Sequence, residues 1–165
     1  MSLPPCARNW PLCLRKFRQQ PDEECPPSAG ILESMKETAL WNHLRPRLVK
    51  YGKFQKISDR FTLGIPDVLG IHRGKGVAIE LKEFSGVSIL RVKFRPGQVR
   101  WLTDWEDHGG ISWIAATHGK NFYLIKPRHA EEVSTGVSPS QLLELSTFYS
   151  KDSKWELAVN AIVSK

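Results

Sequence analysis

The sequence predicts an α/β (α+β) domain in which a mixed central sheet is flanked by helices. Three observations lead there. Apolar residues recur at helical spacing between residues 28 and 50 and again between 96 and 108. Short alternating or apolar runs bounded by glycines lie between and after those segments. The resulting order of helix, strands, helix, strands is that of a layered domain rather than of a bundle or a sandwich.

The elements follow in order. Residues 1–29 hold Pro4-Pro5, Pro11, Pro21 and Pro26-Pro27, which would interrupt any helix, so this stretch reads as an irregular arm. Trp10, Leu12, Leu14 and Phe17 could dock it. A helix is expected from Ser28–Ile31 to about Lys50, with Leu40, Trp41, Leu44 and Leu48 as its apolar stripe and Pro46 as a kink or break. Phe54–Leu63 reads as extended chain. Val68–Ile71 and Val77–Leu81 then form a β-hairpin across His72-Arg73-Gly74-Lys75-Gly76.

Phe84–Arg95 is a basic loop or irregular strand. Pro96 suits the start of a helix whose apolar face carries Trp101, Leu102 and Trp105, and His108-Gly109-Gly110 stops it. Ile111–Ala116 and Asn121–Ile125 are strands joined by Thr117-His118-Gly119-Lys120. Two short tail helices are expected, one starting at Ser138-Pro139, the other at a capping-box pattern in Ser153-Lys154-Trp155-Glu156. The organisation is therefore an arm at 1–29, a core domain at 30–130 and a helical extension at 131–165.

The length of 165 residues allows one domain with a proper core. No run approaches the roughly 20 apolar residues of a membrane span, and no secretory signal opens the chain. The expected compartment is the cytoplasm, a host's cytoplasm if the chain is phage-encoded. Cys6, Cys13 and Cys25 fit neither a disulfide framework nor a common zinc spacing, and read as reduced thiols. The five scattered histidines do not form a metal-finger arrangement.

The net charge is +7, and its placement is informative. Residues 36–100 carry 14 Lys/Arg against 5 Asp/Glu, whereas the rest of the chain has 10 against 12. A concentrated positive segment suits a polyanion, because cation–phosphate contacts release counterions.

Within that segment, Val77–Lys82 sets Ile79 and Leu81 on one face and Ala78, Glu80 and Lys82 on the other. Glu80 and Lys82 are then about 7 Å apart along the strand. With Gly74-Lys75 at the hairpin tip, Asp67 falls nearly opposite Lys82. Two carboxylates and an amine converge, a donor set suited to a hard divalent cation that keeps several waters.

The run Gly64-Ile65-Pro66-Asp67, a glycine-bearing hairpin, then Ala78-Ile79-Glu80-Leu81-Lys82 resembles the PD-(D/E)xK nuclease superfamily. That superfamily includes restriction endonucleases and archaeal-type Holliday-junction resolvases. Leu90–Leu102 is similar too, and looks like the small, often phage-borne nucleases with a virus-type replication-repair nuclease (VRR-NUC) domain. The resemblance spans roughly residues 33–127 and implies a restriction-endonuclease-like core. It implies a Mg²⁺-dependent DNA endonuclease, with Mn²⁺ able to substitute, first of all a junction-resolving one acting as a homodimer on branched DNA. A less selective nicking or flap nuclease, or a non-catalytic DNA-binding protein on the same fold, are the alternatives.

The superfamily pattern makes Asp67, Glu80 and the Leu81 carbonyl metal ligands and Lys82 the catalytic lysine, with Gln98 supporting the site from its helix. The pattern also places an acid on the first helix. Glu37, one turn before Trp41, is preferred over Glu33. Arg91, Lys93 and Arg95 alternate with Val92 and Phe94 and would project together toward DNA, with Lys53, Lys56 and Arg60 on the other side. No base-reading module is evident, so recognition of DNA shape is expected.

Overall fold

The structure, a computed structural model, describes residues 29–58 and 62–164, with backbone alone for residues 29–36 and Ser153. All of the expected arm but Ala29, its cysteines, and Arg60 therefore lie outside the described residues.

Helix α1 (Ala29–Leu48) runs through Pro46 without a break. Strands β1 (Lys53–Lys56), β2 (Val68–His72) and β3 (Lys75–Glu83) follow. Then come helix α2 (Gln98–Asp107), strands β4 (Ile111–His118) and β5 (Asn121–Ile125), short helices α3 (Ala130–Thr135) and α4 (Pro139–Leu145), strand β6 (Ser146–Ser150) and helix α5 (Trp155–Val163). The six strands pair in sequence order. All neighbours are antiparallel except β3 and β4, which run parallel with α2 as the crossover between them.

The parallel pair explains why β3 is buried on both faces. On one face Val77, Ile79 and Leu81 pack with Leu40, Trp41, Leu44 and Leu48 of α1 and Ala158, Val159 and Ile162 of α5. On the other, Ala78 joins Leu102 of α2, Leu90, Val92, Val133 and Leu142. The polar face of β3 is thus an interior surface, not a solvated one.

Several expectations need correction. For the stretch expected to be extended, Phe54–Leu63, the strand itself is Lys53–Lys56, and residues 59–61 lie outside the described residues. The first hairpin turns at Arg73-Gly74, both with positive φ, rather than at Gly74-Lys75. Val68 consequently pairs with Ile79, and continuing that register by one residue sets Asp67 beside Glu80, not Lys82. The tail contains an unforeseen sixth strand, β6, which pairs with β5. Ser138 forms the capping box of α4 with Gln141. Helix α5 has Lys154 as its N-cap, whose N–H donates to Ser150 Oγ (2.9 Å); the Ser153 side chain on which the expected box rests lies outside the described residues.

Candidate active site

The site lies where β2 begins and β3 continues beyond it. Asp67 is the last residue before β2, and its carbonyl accepts from the Ile57 N–H (2.7 Å), which ties it to the chain leaving β1. Its Oδ2 accepts from the Leu81 N–H (2.9 Å). A strand residue's N–H and C=O project to the same side, so the Leu81 carbonyl also faces the space that β2 leaves open.

The loop carrying Asp67 is pressed against the start of α2. Gly64 (φ 87°) and Gly97 (φ 85°) meet back to back, and a Cβ on Gly64 would lie 2.8 Å from the Gly97 carbonyl group. Only glycine satisfies both the positive φ and this approach. The contact brings the turn before Asp67 together with Gln98, the first residue of α2.

Glu80 is fully buried. Its Oε1 accepts from Gln98 Nε2 and sits 2.7 Å from Lys82 Nζ. Gln98 is held in turn by the Arg95 N–H, which donates to Gln98 Oε1 (2.7 Å). Lys82 Nζ is 3.8 Å from Glu37 Oε1 and 5.7 Å from the centre of the Phe94 ring. Arg95 Nη2 stands 3.5 Å from Asp67 Oδ1.

The structure therefore brings Glu37, Asp67, Glu80, Lys82 and Gln98 into one cluster. The side chain of Glu33 lies outside the described residues. Arg95, expected among the DNA-binding cations, has a side chain that is 60% exposed and also reaches Asp67, while its backbone N–H holds Gln98. Lys56 reaches α1 through Thr38 Oγ1 (3.4 Å) and acts electrostatically on Glu37. Lys53 is exposed on β1 with no described contact to the cluster. Arg91 and Lys93 are exposed and line a cleft of about 290 Å³ that also includes Glu37, Lys82 and Ser85. Ser85 and Phe94 had no sequence signal as site neighbours; only the fold carries the segment after β3 back alongside Lys82.

Electrostatics single out Glu80. Burial, and then the charge of Asp67, push its carboxyl up to about 8, against the lowering pull of Lys82 and Arg95. Burial and Asp67 also raise Glu37, with Lys82, Arg95 and Lys56 opposing. Glu80 Oε2 is buried with no hydrogen-bond partner. An orphaned carboxylate oxygen in the interior is costly unless something compensates it.

A divalent cation would compensate it. Among the described residues no group of three or more His, Cys, Asp or Glu is assembled for a metal. The available donors are the two carboxylates Asp67 and Glu80 with the Leu81 carbonyl. That hard-oxygen set is short of a full shell and fits Mg²⁺, which retains water and takes substrate phosphate oxygens.

The model of the archaeal Holliday junction resolvase (Hjc) family matches residues 58–152, more than half of the chain. The chain belongs to that family. Membership places it among nucleases of the Holliday-junction-resolvase type. Of the two groups that the motifs resemble, it is the archaeal resolvases whose family model matches. The matched span holds Asp67, Glu80, Lys82, Arg91, Lys93, Arg95 and Gln98, whereas Glu37, Lys53 and Lys56 precede it.

Among solved structures, the chain is similar to Archaeoglobus fulgidus Hjc, a Holliday junction resolvase from an archaeal hyperthermophile. The two are 14% identical, with 68% of this chain and 93% of that chain covered and a TM-score of 0.47. No curated protein matches the chain. Among the described residues no helix is long and apolar enough to cross a membrane.

Proposed function

We propose that the chain is a divalent-metal-dependent endonuclease that cuts DNA at four-way junctions, working as a homodimer because two strands must be cut. The observation that carries the metal dependence is the buried Glu80 carboxylate, with an unpartnered oxygen, beside Asp67 and Lys82. Family membership supports the junction as substrate.

Asp67, Glu80 and the Leu81 carbonyl would hold the cation. When bound, it would polarise the scissile phosphate and lower the pKa of an attacking water. The chain's own residues do the rest. The Leu81 N–H orients the Asp67 carboxylate, and Gln98 fixes Glu80 while being fixed by the Arg95 backbone. Lys82 presents a cation in the lining of the cleft, where it can orient water and stabilise charge developing on phosphate oxygens. Glu37 keeps that ammonium in place from the first helix. Arg91 and Lys93 supply cations along the same cleft for the DNA backbone.

The test is cleavage of a four-way junction and of a matched linear duplex, with Mg²⁺ or with chelator. Divalent-dependent cutting confined largely to the junction is expected. Equal cutting of both DNAs would leave a nuclease without structure selectivity, and salt-sensitive binding with no cutting would leave a binding protein.

A further inference from the structure

The segment after Lys82 carries an apolar feature that the catalytic cluster does not use. Among the described residues, the most exposed large apolar side chains are Val87 (84%) and Leu63 (77%), and Ile89 is 48% exposed. Singly exposed apolar residues are ordinary on protein surfaces. These stand out by position. Leu63 precedes Asp67 on its loop, while Val87 and Ile89 share the loop 85–91 that follows the catalytic strand.

Loop 85–91 is braced. Ser85 and Arg91 exchange backbone hydrogen bonds (2.9 and 3.0 Å), and Leu90 and Val137 do the same (2.8 and 3.0 Å). A ring nitrogen of His118 bonds the Gly86 carbonyl (3.0 Å). Gly86 has φ 102°, and a Cβ there would lie 2.0 Å from the Ile89 carbonyl oxygen, so no other residue fits the turn. Val87 is thus held out in solvent by a fixed turn.

The feet of the loop belong to the cleft. Ser85 and Arg91 line it beside Lys82, and Arg91 Nε donates to the Thr135 carbonyl (2.9 Å), which fixes the guanidinium. Val87 and Ile89 stand between these two cleft residues on the same loop, next to where a DNA backbone held by Arg91 and Lys93 would lie. A continuous duplex keeps its base faces stacked, so an apolar side chain reaches them only by unstacking a step. Apolar side chains do insert between base steps at an unstacking cost, and that cost is lower at a branch point, where the continuous stack is interrupted.

We propose that loop 85–91 is a wedge, in which Val87 and Ile89 pack against unstacked bases at a DNA branch while Arg91 and Lys93 hold the flanking phosphates. The proposal rests on the nuclease reading above and names the element that selects branched over continuous DNA.

The experiment uses V87S/I89S, with a thermal melt to verify folding, and a four-way junction carrying 2-aminopurine at the branch. Binding is measured in chelator. The wild type is expected to raise the fluorescence on saturation. The variant should lose most of that rise and bind the junction about tenfold more weakly, with linear-duplex affinity within about twofold of wild type. An undiminished rise with unchanged junction affinity overturns the wedge. So do equal losses on both DNAs, which would make the loop a general backbone contact, or conversion of a dimer to a monomer, which would assign the loop to a second copy. Because the readout is binding without cleavage, failure of the nuclease reading would appear separately, as an intact fluorescence rise with no cutting when Mg²⁺ is added.

Discussion

Strand β3 has two faces that are buried to the same degree and built for opposite ends. Val77, Ile79 and Leu81 point into an apolar layer between the sheet and helices α1 and α5. Ala78, Glu80 and Lys82 point the other way, and Glu80 and Lys82 are 0% and 7% exposed. On the first face burial is favourable by itself, at roughly 25 cal/mol per Å² of apolar surface removed from water. On the second, burial raises the free energy of a carboxylate whose second oxygen has no partner. The adjacent apolar face can hold the backbone while the polar face carries the cost of that one unpartnered oxygen.

Substitutions on the two faces should therefore separate activity from stability. Lys82→Met keeps the length of the side chain and removes its charge. Single-turnover junction cleavage should fall by about 10²–10³-fold, the usual loss for one transition-state donor, with the protein still folded. Leu81→Ala, one residue away on the apolar face, should destabilise by about 2–5 kcal/mol in chemical denaturation through loss of packing and a residual cavity. If Lys82→Met unfolded the protein as readily as Leu81→Ala, the two faces would not differ in the way described.

Dependence on pH sharpens the contrast. Glu80 titrates near 8 in the fold against an ordinary value of 4.5. The raised value means that the folded state holds this proton more tightly than the unfolded chain does. The stability that Glu80 contributes is complete below about 4.5 and is lost as pH rises through about 8. Glu37, also raised, adds the same sign. Thermal melts of metal-free protein should show a lower Tm at pH 9 than at pH 6, and Mg²⁺ should restore more at pH 9. A Tm that rises across that range would contradict the sign.

Smaller effects are expected from the supporting amide and from the outer cations. Gln98→Ala removes the amide that fixes Glu80 and should lower cleavage about tenfold, with Mg²⁺ affinity reduced in parallel. Arg91→Ala with Lys93→Ala should weaken DNA binding across sequences and flatten its salt dependence by about two ion equivalents, read from binding isotherms at several salt concentrations. Lys53→Ala, exposed and without a described contact to the cluster, should change neither by more than about twofold.

Much of this was legible because it is local. Alternation along Val77–Lys82 separates the faces, helical spacing of Leu40, Trp41, Leu44 and Leu48 marks α1, and glycines bracket the first hairpin. What escaped depends on tertiary geometry. Arg73 adopts a left-handed conformation that its residue type does not signal, which moves the turn by one position and the register by two, so Asp67 meets Glu80. Strand β6 follows α4 directly, and five residues with two aromatics give too short a pattern to stand out. The approach of Arg95 to Asp67 also depends on the fold, since the two are 28 residues apart in the chain.

The most direct measurement compares wild type with Glu80→Gln in single-turnover cleavage of a four-way junction across a Mg²⁺ titration at pH 8.5. The substitution keeps the shape of the side chain and removes the buried charge. The wild type should cleave with saturable Mg²⁺ dependence, and the variant should be slower by about 10³-fold or more, while its metal-free Tm matches or exceeds that of the wild type. Equal rates, or wild-type cleavage in chelator, would contradict a metal site built on Glu80.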